Sequence, residues 1–172
     1  MNAINRMKEE RHVFEMPFAN QLLLWAVRSW VQGHMARDCC ALLIRQGFEK
    51  AGIPSTAFCQ LDLILSILAA TSRNRIDVRH MRCCRASADE ERLLDAIADH
   101  QFYSADAVNP PTHENVKARE KAITQRGIET ALAPWLPPSA LRLCREPASE
   151  LADSFAYAGL VLQPCNPATA AH

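Results

Sequence analysis

The stretch from Pro54 to Thr71 reads PSTAFCQLDLILSILAAT. Phe58, Leu61, Ile64, Leu65 and Leu68 recur at helical spacing, and Leu63, Ile67 and Ala70 place apolar groups on a second face. Only Cys59, Asp62 and Ser66 break the pattern. Ser55 or Thr56 serves as the cap. A helix that is apolar nearly all round belongs at the centre of a bundle. It is too short, and too interrupted by Asp62, to read as a membrane span.

Helices are expected on both sides of it. Pro17 suits a first helical turn, and the helix after it is expected to run to Val31 or Gln32 and end at Gly33. Phe18, Leu22, Ala26 and Trp30 form its apolar row, with Leu23, Val27 and Val31 beside it. The opposite row holds Gln21, Trp25, Arg28 and Gln32. Trp25 there either lies over a neighbouring helix or, with Arg28, anchors a partner protein, because Trp and Arg are enriched in interface hot spots. Asp38 is the expected N-cap of a second helix through Lys50, with Cys40, Leu43, Ile44, Phe48 and Ala51 inward. Gly47 weakens that helix or permits a close helix contact. Gly52-Ile53-Pro54 stops it and restarts the chain, which makes the second and central helices antiparallel.

Beyond Thr71 the sequence SRNRIDVRHMRCCR loses helical periodicity, and alternation around Ile76 and Val78 predicts a short extended segment near 75–79. Ser87-Ala88-Asp89-Glu90 has the form of a capping box. The helix it starts places Leu93, Leu94, Ile97, Ala98, Gln101 and Phe102 on one side. A polar helix is expected from Thr112 to about Leu132. Pro134, Pro137 and Pro138 end it, a short helix covers Ser139 to Arg145, and Pro147 starts the last helix, which Gly159 caps. Leu160-Val161-Leu162 then follows as an extended apolar tail. The expected fold is all-α: one helical domain, residues 1–172, a bundle of about five to seven helices with flexible ends at 1–13 and 164–172.

The chain has 172 residues, 49% of them hydrophobic, enough for one sizeable core. Lys plus Arg and Asp plus Glu are 19 each, so there is no global attraction to nucleic acid or to an anionic membrane. The N-terminal sequence MNAINRMKEERHVFEM has no apolar core of a secretory signal, so the seven cysteines are expected as free thiols or ligands in a reducing cytoplasm. Frequent Ala and Arg with little Lys suggest a GC-rich bacterial gene.

Motifs for catalysis are missing. With five glycines there is no phosphate-binding loop, and there is no Gly-x-Ser-x-Gly, His-Glu-x-x-His or Cys-x-x-Cys. Asp89, Glu90 and Glu91 sit at a helix start, where they complement the macrodipole. His34 precedes Cys39-Cys40, and His80 precedes Cys83-Cys84. The antiparallel helices between them are expected to bring both groups to one end of the molecule. There His34, Cys39, His80 and Cys83 form a candidate site for zinc or another transition metal. Cys83 or Cys84 beside Arg79, Arg82 and Arg85 is alternatively a redox thiol. Arg73, Arg75, Arg79, Arg82 and Arg85 make the one concentrated positive patch, fit for nucleic acid or a phosphorylated ligand. It lacks interleaved aromatics and a recognition helix, and Asp89, Glu90 and Glu91 are near enough to neutralise it.

The leading expectation is a non-enzymatic protein, with a regulatory role, that acts by binding another protein or itself. A metal or thiol sensor and a nucleic-acid or phosphate binder are the alternatives.

Overall fold

A computed structural model describes residues 10–37, 39–105 and 130–165. After a 3-10 turn, Val13–Glu15, come α1 (Phe18–Ala36), α2 (Ala41–Lys50), α3 (Thr56–Thr71), α4 (Ala88–Ala105) and α5 (Pro138–Tyr157). Residues 130–132 are helical as well; the rest of the polar helix expected from Thr112 lies outside the described residues, as does Asp38. The protein is an all-α bundle, as its periodicity predicts.

α3 buries Ala57, Phe58, Leu61, Ile64, Leu65 and Leu68, chiefly against α5, which in turn packs on α4. Phe48 of α2 meets Phe155 of α5 edge-to-face at 5.7 Å. Of the second apolar face of α3, Leu63 is 46% exposed and Ala70 is exposed, whereas Ile67 is half-buried against the core. The helix enclosed round most of its circumference is α1, with Ala19, Asn20, Leu23, Leu24, Ala26, Val27, Arg28, Ser29, Trp30 and Gly33 buried. Phe18, expected inside, is 60% exposed.

Local chemistry places most helix ends. Gly52 and Gly159 both take left-handed φ, at 78° and 72°. After each, a paired set of bonds closes the helix, Ile53 N to Phe48 O with Gly52 N to Glu49 O, and Leu160 N to Phe155 O with Gly159 N to Ala156 O. Gly33 does not end α1. It lies buried within the helix, and Arg37, at φ 56°, takes the left-handed position four residues later. Pro147 does not start a helix either. It is buried inside α5, so the expected short helix and last helix are one. A proline there removes the bond to the carbonyl of Leu143, and Leu143 is exposed, where water can serve that carbonyl.

Residues 72–87 form no ladder; among the described residues the one β-bridge joins His12 to Arg85. What fixes this segment is a buried ion pair. Arg28 of α1 donates Nε to Glu90 Oε1 at 2.7 Å and Nη2 to Glu90 Oε2 at 2.8 Å. The same guanidinium donates to the carbonyls of Cys83 and Arg85. Glu90 also accepts from the backbone N–H groups of Arg79 and Ser87. Ser87 Oγ accepts from Glu90 N, which completes the predicted capping box.

The described parts of both ends are bonded to the body of the bundle or buried in it. Val13 N bonds Cys84 O, Ala86 N bonds Arg11 O, and Cys165 is buried.

Arg28→Ala or Glu90→Ala should each cost about 3–5 kcal/mol, because each strands a buried charge. Arg28→Ala with Glu90→Ala should cost clearly less than the two single changes added. Denaturant unfolding of the four proteins measures this, and strict additivity would contradict a coupled pair.

Candidate functional site

The C-terminal half of α1, the start of α2 and the middle of α3 enclose a cleft of about 260 Å³. Trp30 and His34 face it from successive turns of α1, Phe58, Asp62 and Ser66 from α3, and Cys39, Cys40 and Ala41 from the entry to α2. The Trp30 indole donates Nε1–H to Asp62 Oδ1 at 2.7 Å. The His34 ring stacks on Trp30 at 4.8 Å, 7° from parallel. Asp62, a mere interruption of the apolar pattern in the sequence, is thus the acceptor that sets the Trp30 ring, and Trp30 in turn sets His34. Cys39 is exposed and Cys40 half-buried. At the far end Arg45 lies 4.9 Å over the Phe58 ring, with Nη2 4.0 Å from the Cys59 thiol.

His80 and Cys83 do not join this group. Among the described residues no three His, Cys, Asp or Glu side chains are placed to hold one metal ion. His80 is exposed, and its Nδ1 accepts from Arg82 N at 3.2 Å. Cys83 is fixed by its carbonyl to Arg28, six positions before His34 on α1. The physical reason is Glu90: it draws the 79–87 segment onto the start of α4 and the middle of α1, away from the end of α1.

Trp25 lies over the neighbouring helix. A Cβ at Gly47 would come within 2.6 Å of its ring carbons, so the glycine is what lets the indole rest on α2. Arg28, expected beside it on a polar face, is 3% exposed and fully engaged inside. Within the arginine segment, Arg79 pairs with Glu10 at 2.7 Å and Asp77 at 3.1 Å, and Arg85 donates to the Glu10 carbonyl. Arg73, Arg75 and Arg82 are exposed, with no ion-pair partner among the described residues.

Several polar residues sit in the core, and of Asn20, Asp95 and Gln101 the sequence placed only Gln101 on the apolar side of its helix. Asn20, Asp95 and Gln101 are 1%, 5% and 6% exposed, and all three hold the chain beyond Gly159. Their signal was a polar residue on a helix face otherwise apolar. His100 is buried beside them, and its Nε2 has no hydrogen bond among the described residues. Burial lowers its pKa to about 4, against the attraction of Asp153. Burial, then Asp95, raises Asp99 to about 6. Burial also raises the thiols of Cys144 to about 11 and Cys165 to about 12, which makes them poor nucleophiles.

No family model, characterised protein or solved structure matches the chain.

The two α4 groups oppose each other in acid. Between pH 6.5 and 4 the unfolded chain protonates a histidine that the fold keeps neutral, so His100 withdraws stability as pH falls. Between pH 6 and 3.8 the folded chain holds a proton on Asp99 that the unfolded chain has released, so Asp99 adds stability as pH falls. His100→Gln should therefore lose less stability than the native chain on going from pH 7 to 4, and Asp99→Asn should lose more. Urea unfolding at several pH values tests the sign; parallel profiles for both variants would refute it.

Proposed function

We propose that this protein is a non-enzymatic helical protein of a reducing cytoplasm that works by binding another protein or a second copy of itself. The observation that supports this is the outer surface of α2. That helix buries Ile44 and Phe48 and leaves the adjacent Leu42 and Leu43 64% and 53% exposed. Met35, 80% exposed in the last turn of α1, and Leu63, 46% exposed on α3, are further apolar side chains left in water. Apolar surface left in water forgoes roughly 25 cal/mol per Å² that association would recover. The seven free thiols suit a reducing compartment, and no described helix is long and apolar enough to cross a membrane. Light scattering at several concentrations should show self-association that Leu42→Glu with Leu43→Glu weakens, or the same pair of changes should abolish recovery of a defined partner. A chain that stays a monodisperse monomer and recovers no partner would overturn the proposal.

A second reading, thiol-based sensing, draws on the cleft, where His34, Cys39, Cys40 and Asp62 converge. Adjacent thiols beside an imidazole offer a pair open to oxidation. Cys39 should then react with a disulfide reagent faster than the exposed Cys59 and Cys84. With Cys39 no faster than the other two, this reading fails.

A further inference from the structure

Beyond Gly159 the chain leaves α5 and lies along the bundle, and its backbone is held by side chains. Gln101 of α4 donates Nε2–H to the Leu160 carbonyl at 2.8 Å and accepts from Leu162 N at 2.6 Å through Oε1. Asn20 of α1 donates Nδ2–H to the Gln163 carbonyl at 2.8 Å and accepts from Gln163 N at 2.9 Å. Asp95 accepts from Cys165 N, and Arg11 donates to the Cys165 carbonyl at 2.6 Å. A carboxamide carries one acceptor and one donating group at the spacing of a peptide unit. Asn20 and Gln101 therefore do for this segment what a neighbouring strand does in a sheet. Two side chains of the segment enter the bundle: Leu162 is fully buried and Cys165 is 2% exposed, whereas Val161 and Gln163 face out.

Packing down a tail needs only the apolar socket under Leu162. Here three buried polar side chains are committed as well, each costly to bury without a partner. They bond to N–H and C=O groups, which nearly every residue carries. The groove thus reads an extended backbone, one large aliphatic side chain, and a small apolar one three positions later. Apart from the helix-closing bond of Leu160 N, the backbone bonds described for residues 160–165 all go to side chains. The segment can therefore leave without breaking a helix interior. It hangs from Gly159, where nothing lies within 4 Å of an added Cβ.

We propose that the groove between α1 and α4 is a binding site for an extended peptide segment of a partner protein, with an aliphatic residue followed three positions later by a small apolar one, and that the chain's own residues 160–165 are its resident, displaceable occupant. The site lies apart from the α2 surface and does not depend on it. Backbone capture gives affinity and the two sockets give selectivity, as in strand addition to a sheet edge. The resident segment competes from the same molecule, so a partner must overcome a high local concentration.

The test uses the full chain and a fluorescent peptide of sequence LVLQPA, the resident segment with Ala for Cys. Leu162→Asp puts a charge into the apolar socket and should release the tail. This variant should bind the peptide about tenfold or more tightly than the native chain does. Asn20→Ala added to it should reduce binding by about the same factor, as expected when a buried carboxamide contact is lost. A peptide with Asp at the Leu162 position should not bind. If Leu162→Asp is unfolded alone, millimolar peptide should refold it, read by circular dichroism. A folded variant that binds no better than the native chain, or an unfolded one that peptide does not rescue, overturns the proposal.

Discussion

The geometry of this bundle turns on Arg28 and Glu90. Both are buried, and a charge removed from water must be answered at every donor and acceptor or it destabilises the fold. Here the answers come from four places: α1, the start of α4, and the backbone at residue 79 and at residues 83–87. The non-helical segment between α3 and α4 therefore takes its path from side-chain charge, without a ladder of its own. The pair also sets how α1 lies on α4. Arg28 meets Glu90, while Asn20, further back on α1, shares the Cys165 region with Asp95, further along α4. The two helices thus run antiparallel, and their other ends come together as the groove that holds residues 160–165.

How much of this could be read from the sequence depended on how far apart the partners are. Ser87 and Glu90 are three residues apart, and the capping box was legible because its chemistry is complete within one turn. Gly52 and Gly159 were legible for the same reason. Arg28 lies 62 residues from Glu90, and Asn20 lies 143 from Gln163. Nothing local marks those pairs, and amphipathic reasoning sends an isolated Arg to solvent. Gly33 and Pro147 misled in the opposite way. Each is a local stop signal that packing overrides: both residues are buried, and their helices continue through them. Gly47 was legible as one of two alternatives, and the Trp25 ring decides between them.

The cysteine and histidine groups expected to meet at one end of the molecule lie apart. The end of α1 and the start of α2 are joined by a short connection, so His34, Cys39 and Cys40 share a cleft. The second cluster is withdrawn because Cys83 is tied to Arg28 through its backbone. The thiols then divide by environment. Cys144 and Cys165 are core residues whose ionisation burial opposes, whereas Cys39, Cys59 and Cys84 are exposed. Cys40 and Cys83 are half-buried, and Cys39 and Cys40 share their cleft with an imidazole and a carboxylate.

The buried polar residues also bear on what kind of protein this is. A core of this size could be closed with leucine and valine, and apolar replacements for buried ion pairs are often no less stable. The chain instead buries Arg28, Glu90, Asn20, Asp95 and Gln101, and directs most of their bonding at irregular backbone: residues 79–87 in one case, 160–165 in the other. Such contacts contribute less to raw stability than to fixing where a segment without secondary structure lies. A segment held in this way can be released by changing a few hydrogen bonds, while the helices beneath it keep their packing. The two surfaces proposed as docking sites, the outside of α2 and the groove under the strap, differ in chemistry. The first offers apolar area that water leaves unsatisfied. The second offers backbone-matching polar groups, Asn20, Asp95 and Gln101, that the extended segment 160–165 engages.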